Sequence, residues 1–100
     1  MFTTLSNFIV DTEPPTCSFC PGDIAREKTT REVRVNWKSP TCSDNSGIPP
    51  SIESNRHNGA QFIVPGVYEI QYVVRDQASN VNKNCSFRIN LKGNHLFLSV

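Results

Sequence analysis

Apolar side chains recur at every second position through much of this chain. No window of about ten residues carries the i, i+3, i+4, i+7 spacing of an amphipathic helix. Glu32 to Lys38 (EVRVNWK) sets Val33, Val35 and Trp37 on one side and Glu32, Arg34, Asn36 and Lys38 on the other, as in a strand with one wet face. In Gln61 to Val64, Phe62 and Val64 share a side before Pro65-Gly66 turns the chain. Val67 to Arg75 is the longest such run, with Tyr68, Ile70, Tyr72 and Val74 inward against Glu69, Gln71 and Arg75, and with Val73 interrupting the polar face. Cys85 to Lys92 aligns Cys85, Phe87, Ile89 and Leu91 inward, and Ser86, Arg88, Asn90 and Lys92 outward. Asp23 to Glu27 and Ser51 to Asn55 are shorter candidates. The joints Ser39 to Pro50, Arg56 to Ala60 and Asp76 to Asn84 are polar and turn-rich. About six to eight short strands spaced in this way predict an all-β chain, a sandwich of two antiparallel sheets, with a small barrel as the competing arrangement. The expected core is Val33, Val35, Trp37, Phe62, Tyr68, Ile70, Tyr72, Val74, Phe87 and Ile89.

Composition narrows the class. The chain has 100 residues, 19% of them charged, with a formal net charge of +1. It is one domain at most, and a domain this small is thinly stable without reinforcement. The balance of charge argues against a nucleic-acid partner, which requires a basic field. No apolar run approaches the roughly twenty residues of a membrane span. Met1 to Val10 lacks the basic region, continuous apolar stretch and small-residue cleavage site of a signal peptide. The chain reads as a fragment of a multidomain protein, its module at 11–92 and flanking segments at 1–10 and 93–100. In the second flank, Leu96, Phe97, Leu98 and Val100 suit a terminal strand or the start of a following segment.

Four cysteines supply the reinforcement. Cys17 and Cys20 have C-x-x-C spacing, but Cys42 and Cys85 form no second close pair, and neither His57 nor His95 has a ligand neighbour in sequence, so a zinc site is disfavoured. No helix follows Cys20 to lower a thiol pKa, so a redox motif is disfavoured too. Among the three disulfide connectivities, Cys20 with Cys85 clips the segment before the first strand to the last strand. Cys17 with Cys42 then ties the extended, proline-stiffened leading segment to the SPTCSDNSG loop. A Cys17–Cys20 bond closes only a tiny loop and stabilises little. Persistent disulfides place the chain in an oxidising, extracellular or lumenal setting.

Asp11 to Ile24 (DTEPPTCSFCPGDI), Val35 to Gly47 (VNWKSPTCSDNSG), Gly66 to Asn80 (GVYEIQYVVRDQASN) and Cys85 to Ile89 (CSFRI) together resemble the HYR domain, or hyalin repeat. Ser79 stands where the family usually has glycine, and Cys17 with Cys42 resembles a second bridge found in only some members. The resemblance implies an immunoglobulin-like or fibronectin type III-like β-sandwich in a secreted protein or on the extracellular face of a membrane protein. It implies a noncatalytic interaction or adhesion module without cofactors. Its partners would be matrix or cell-surface proteins and adjacent modules of the same chain, often sushi or EGF-like; the alternative is a passive spacer between such modules.

Several residue groups invite sharper readings. Asp44, Asn45 and Ser46 with Asp76 and Asn80 offer oxygens for calcium, but they lack the carboxylate density of a calcium loop and read as turn chemistry. His57 and Asp44 have no nucleophile motif to serve. Asn84-Cys85-Ser86 is the one N-x-S/T sequon and makes Asn84 a candidate for glycosylation, with an inward-facing Cys85 working against it. Arg34, Arg88 and Lys92 would offer weak contact to a sulfated glycan if they converged; the mixed charges around them read as an ordinary solvated face. Arg56, His57 and Asn58, on a tight Asn58-Gly59 turn, form the candidate contact loop.

Overall fold

Nine strands form within residues 12–94, the residues that the computed structural model describes. They are β1 (Thr16–Phe19), β2 (Ile24–Lys28), β3 (Glu32–Arg34), β4 (Thr41–Ser43), β5 (Ser51–Ser54), β6 (Gln61–Ile63), β7 (Gly66–Arg75), β8 (Val81–Asn82) and β9 (Ser86–Gly93). The expectations for 1–10 and for the apolar segment at 95–100 lie outside the described residues.

The strands make two layers. One is made of two separate two-stranded ladders, β1 with β4 and β3 with β6, both antiparallel. The other has the order β2-β9-β7-β5, with β8 also on β7. The expected all-antiparallel pairing fails at one place: β2 runs parallel to β9, from Ile24 opposite Ile89 to Lys28 opposite Gly93. The reason is a change of layer. The leading chain runs along β4 as β1, crosses at Cys20-Pro21-Gly22, and continues in the same sense beside β9 as β2. Cys20 was expected ahead of the first strand; it stands instead between the first two, at the crossing. β4 lies where a turn-rich joint was expected, and β1 within the extended leading segment, because their polar sequences, TCSF and TCS, carry no long alternation to reveal them.

Alternation did mark the inner faces of β7 and β9, where Ile70, Val74 and Ile89 have no exposed surface and Phe87 and Leu91 almost none. Val35, Trp37, Phe62, Val64, Tyr72 and Cys85 complete the buried cluster, with Ala60. Val33 and Tyr68, expected in the core, are half-buried against its rim. Trp37 lies edge-on to Phe87 at 5.3 Å and tilted to Phe62 at 6.5 Å. Its indole N–H donates to the Tyr72 hydroxyl at 2.7 Å, so neither buried polar group is orphaned.

Two disulfides fasten the fold, one within a layer and one at the crossing between layers. Cys17 and Cys42 face each other across β1 and β4, and Cys20 is bonded to Cys85 at the head of β9. A sequence separation of 65 closes most of the module into one loop. On chain-entropy arithmetic that bridge contributes about 4 kcal/mol, set against a total of about 5–15 kcal/mol for a domain of this length. Cys20→Ala with Cys85→Ala is therefore expected to lower the urea midpoint by about a quarter or more. Circular dichroism at fixed temperature reads it; a midpoint within error of the parent's would show that packing alone holds the fold.

Candidate functional site

The loop from Asn55 to Ala60 joins β5 to β6, and its shape follows from what its side chains do to neighbouring backbone. Asn55 extends the β5 ladder: its N–H donates to Gln71 O at 3.3 Å, its Nδ2 to Glu69 O at 2.9 Å, and its Oδ1 accepts from the Gln71 N–H at 2.9 Å. Arg56 then folds back, its guanidinium 5.0 Å from the Phe62 ring centre and 5.1 Å from that of Tyr68, close enough for cation–π attraction. The Ala60 N–H closes a turn on His57 O at 3.1 Å. Gly59 takes φ +86, and a Cβ there would stand 3.1 Å from Asn36 Oδ1, so glycine answers both the backbone conformation and the close approach.

Asn58 does something the sequence did not announce. Its Oδ1 accepts the Trp37 N–H at 2.8 Å, and its Nδ2 donates to the Trp37 carbonyl. The side-chain amide thus serves as one more rung on the ladder that runs from β3–β6 through Val35 and Ala60 (N···O 3.2 Å). Of the three expected contact residues, His57 is exposed, Arg56 is exposed but stacked on two rings, and Asn58 is committed to the fold. An Asn-Gly pair signals a turn; that its amide would meet a backbone 21 residues away depends on the packing of the layers.

The other polar joints act as turns. Asp44 Oδ2 accepts the Ser46 N–H at 3.1 Å, and Ser46 Oγ accepts the Ile48 N–H at 3.2 Å. Asp76 is buried, with Oδ1 accepting the Asn80 N–H at 2.8 Å and Oδ2 accepting Asn80 Nδ2 at 3.0 Å. No group of three metal-ligating side chains forms among the described residues. Arg34, Arg88 and Lys92 do not converge. Arg34 lies on β3, in the other layer, and donates to Gly59 O at 3.1 Å. On the β9 face, Arg88 stands opposite Glu69 and Lys92 opposite Glu27, a mixed surface rather than a basic stripe. Asn84 is exposed between β8 and β9, beside the buried Cys85.

These features first define a class: an all-β, doubly disulfide-bonded module whose polar residues build turns. The HYR domain profile matches residues 10–91. Hyalin from Strongylocentrotus purpuratus is 33% identical over 81 residues, covering 79% of this chain and 7% of that protein's length. The chain therefore belongs to the HYR domain family, whose modules are noncatalytic and have a general role in extracellular adhesion and interaction within multidomain proteins. No solved structure matches the chain. No helix among the described residues is long and apolar enough to cross a membrane.

Two substitutions test this geometry. Asn58→Asp keeps the acceptor for the Trp37 N–H but turns a carboxylate oxygen toward the Trp37 carbonyl. It is expected to cost about 1–3 kcal/mol and to exceed the cost of Asn58→Ala, read from urea titrations of the single tryptophan's fluorescence. Equal costs would remove the amide rung from the account. Ser79 sits at φ 69, a left-handed conformation that costs a side-chain-bearing residue about 1–2 kcal/mol. Ser79→Gly is expected to raise stability by about 0.5 kcal/mol after glycine's own entropy cost; a lower melting temperature would contradict it.

Proposed function

We propose that residues 11–92 form an immunoglobulin-like β-sandwich that works as a noncatalytic extracellular interaction or cell-adhesion module within a longer protein. Support for the fold comes from the corner between β6 and β7. There the Tyr68 hydroxyl reaches back to donate to Ile63 O at 2.5 Å, the tyrosine-corner arrangement of immunoglobulin-like sandwiches. Gly66 leaves space for it, since a Cβ at that position would stand 2.5 Å from the Tyr68 hydroxyl. The layer change of the leading strand supports the same reading.

The observation that carries the functional reading is the β5–β6 loop, an exposed Arg56–His57 tip set on a rigid base by Asn55, Asn58 and Gly59. Binding residues favour such loops on rigid scaffolds. Its partner is an extracellular-matrix or cell-surface protein. One observation favours the spacer reading: Ile63 and Val67, each 63% exposed, flank the β6–β7 turn at the end of the fold where β9 finishes. That position suits an apolar joint with an adjacent module.

Beads coated with the 100-residue chain discriminate the two. An adhesion module is expected to hold them on matrix-coated surfaces, with His57→Ala lowering retention several-fold at unchanged urea midpoint. Retention no greater than that of albumin-coated beads would leave the spacer reading standing.

A further inference from the structure

We propose that Asn84 carries an N-linked glycan that covers the seam between β1 and the β8–β9 linker. Asn84-Cys85-Ser86 is the chain's one N-x-S/T sequon, and its difficulty in sequence is the bridged cysteine at its centre. The structure removes that difficulty in the folded product. The residues on either side of the bridged cysteine are presented outward: Cys85 is 3% exposed and bonded to Cys20, while Asn84 and Ser86 are both exposed. Backbone groups around Asn84 are held from below. Gln71 Nε2 donates to Lys83 O at 2.9 Å, the Tyr72 N–H donates to Cys85 O at 3.0 Å, and the Asn84 N–H donates to Asn82 Oδ1 at 2.8 Å. The Asn84 side-chain amide has no hydrogen-bond partner among the described residues, so a sugar on Nδ2 displaces nothing.

Beside it lies a hollow of about 270 Å³ lined by Thr16, Cys17, Cys20, Asn82, Asn84 and Cys85. Its size and half-polar lining suit the first N-acetylhexosamine, which would lie over β1 and cysteines of both bridges. β8 and β5 occupy opposite edges of β7, both reaching Val74. The glycan and the Arg56–His57 loop therefore attach on opposite edges of β7. In the transfer, a bond forms between Nδ2 and the anomeric carbon of a polyisoprenoid-pyrophosphate-linked oligosaccharide. That carbon's bond to the phosphate oxygen breaks, and the amide's departing proton leaves with the lipid pyrophosphate. Cys20 is made 65 residues earlier and is available to bond Cys85 as soon as that residue emerges, so transfer competes with closure of the bridge.

The proposal rests on the extracellular setting of the family, so its test imposes that route: the 100-residue chain is expressed in animal cells behind a cleavable signal peptide. The secreted protein is expected to carry extra mass that peptide-N-glycosidase removes, leaving aspartate in the tryptic peptide Asn84–Arg88. Asn84→Gln and Ser86→Ala are each expected to abolish the shift, and both sites are exposed, so secretion and both disulfides should persist. A secreted, doubly bridged protein with that peptide unmodified overturns the proposal. So does a glycosidase-sensitive shift that survives in either variant. Neither result bears on whether the Arg56–His57 loop binds a matrix protein.

Discussion

Trp37 joins the two layers by side chain and backbone at once. Its ring fills the space between Phe62 of one layer and Phe87 of the other, and its N–H reaches across to the Tyr72 hydroxyl. An indole N–H buried without a partner would cost about 1–3 kcal/mol, so the layers are fixed in separation and in slide by the same contact. The backbone of Trp37 is bonded in turn by Asn58. This couples the most buried aromatic cluster to the candidate contact loop. A displacement of the Trp37 backbone would carry the Asn58 rung with it, and with it the turn that presents His57.

Around this contact the small core needs covalent help. A domain of about 100 residues buries less of its unfolded surface than a larger one, and here the leading strand divides its hydrogen bonds between both layers. A strand that leaves one sheet for another gives up ladder bonds at the crossing, and Cys20 is bonded to Cys85 at that point. The β2 edge carries its own protection. Arg26 and Lys28 stand in register with the inner-face positions Leu91 and Gly93, and charges at such positions deter another strand from pairing there.

Membership of the HYR family and the placement of polar side chains agree about the kind of protein this is. Ser46, Asp76, Asn80 and one oxygen of Asp44 bond to backbone and to one another, which shapes turns; the other Asp44 oxygen, Oδ1, is buried without a partner among the described residues. What remains outward is a mixed sheet face, a stiff loop with an exposed histidine, and an exposed sequon.

The alternating runs at Val67 to Arg75 and Cys85 to Lys92 determined the all-β class, the inner faces of the longest strands and most of the core, because period-two burial is a local property of an extended chain. The D-x-x-P-P, D-N-S-G and D-x-A-x-N segments and the cysteine order were enough for the family resemblance. Other features were decided only in three dimensions. β1 and β4 are strands because a disulfide and a partner strand hold them so, not because their short polar sequences favour extension. The parallel β2–β9 pair follows from the layer change at Cys20, which no periodicity records. Arg34 parts from Arg88 and Lys92 because neighbours in a sheet are set by strand order, and Asn58 turns inward because the Trp37 backbone is there to receive it. Local pattern fixes which side of a strand is wet; long-range packing chooses which strands, and which loops, meet.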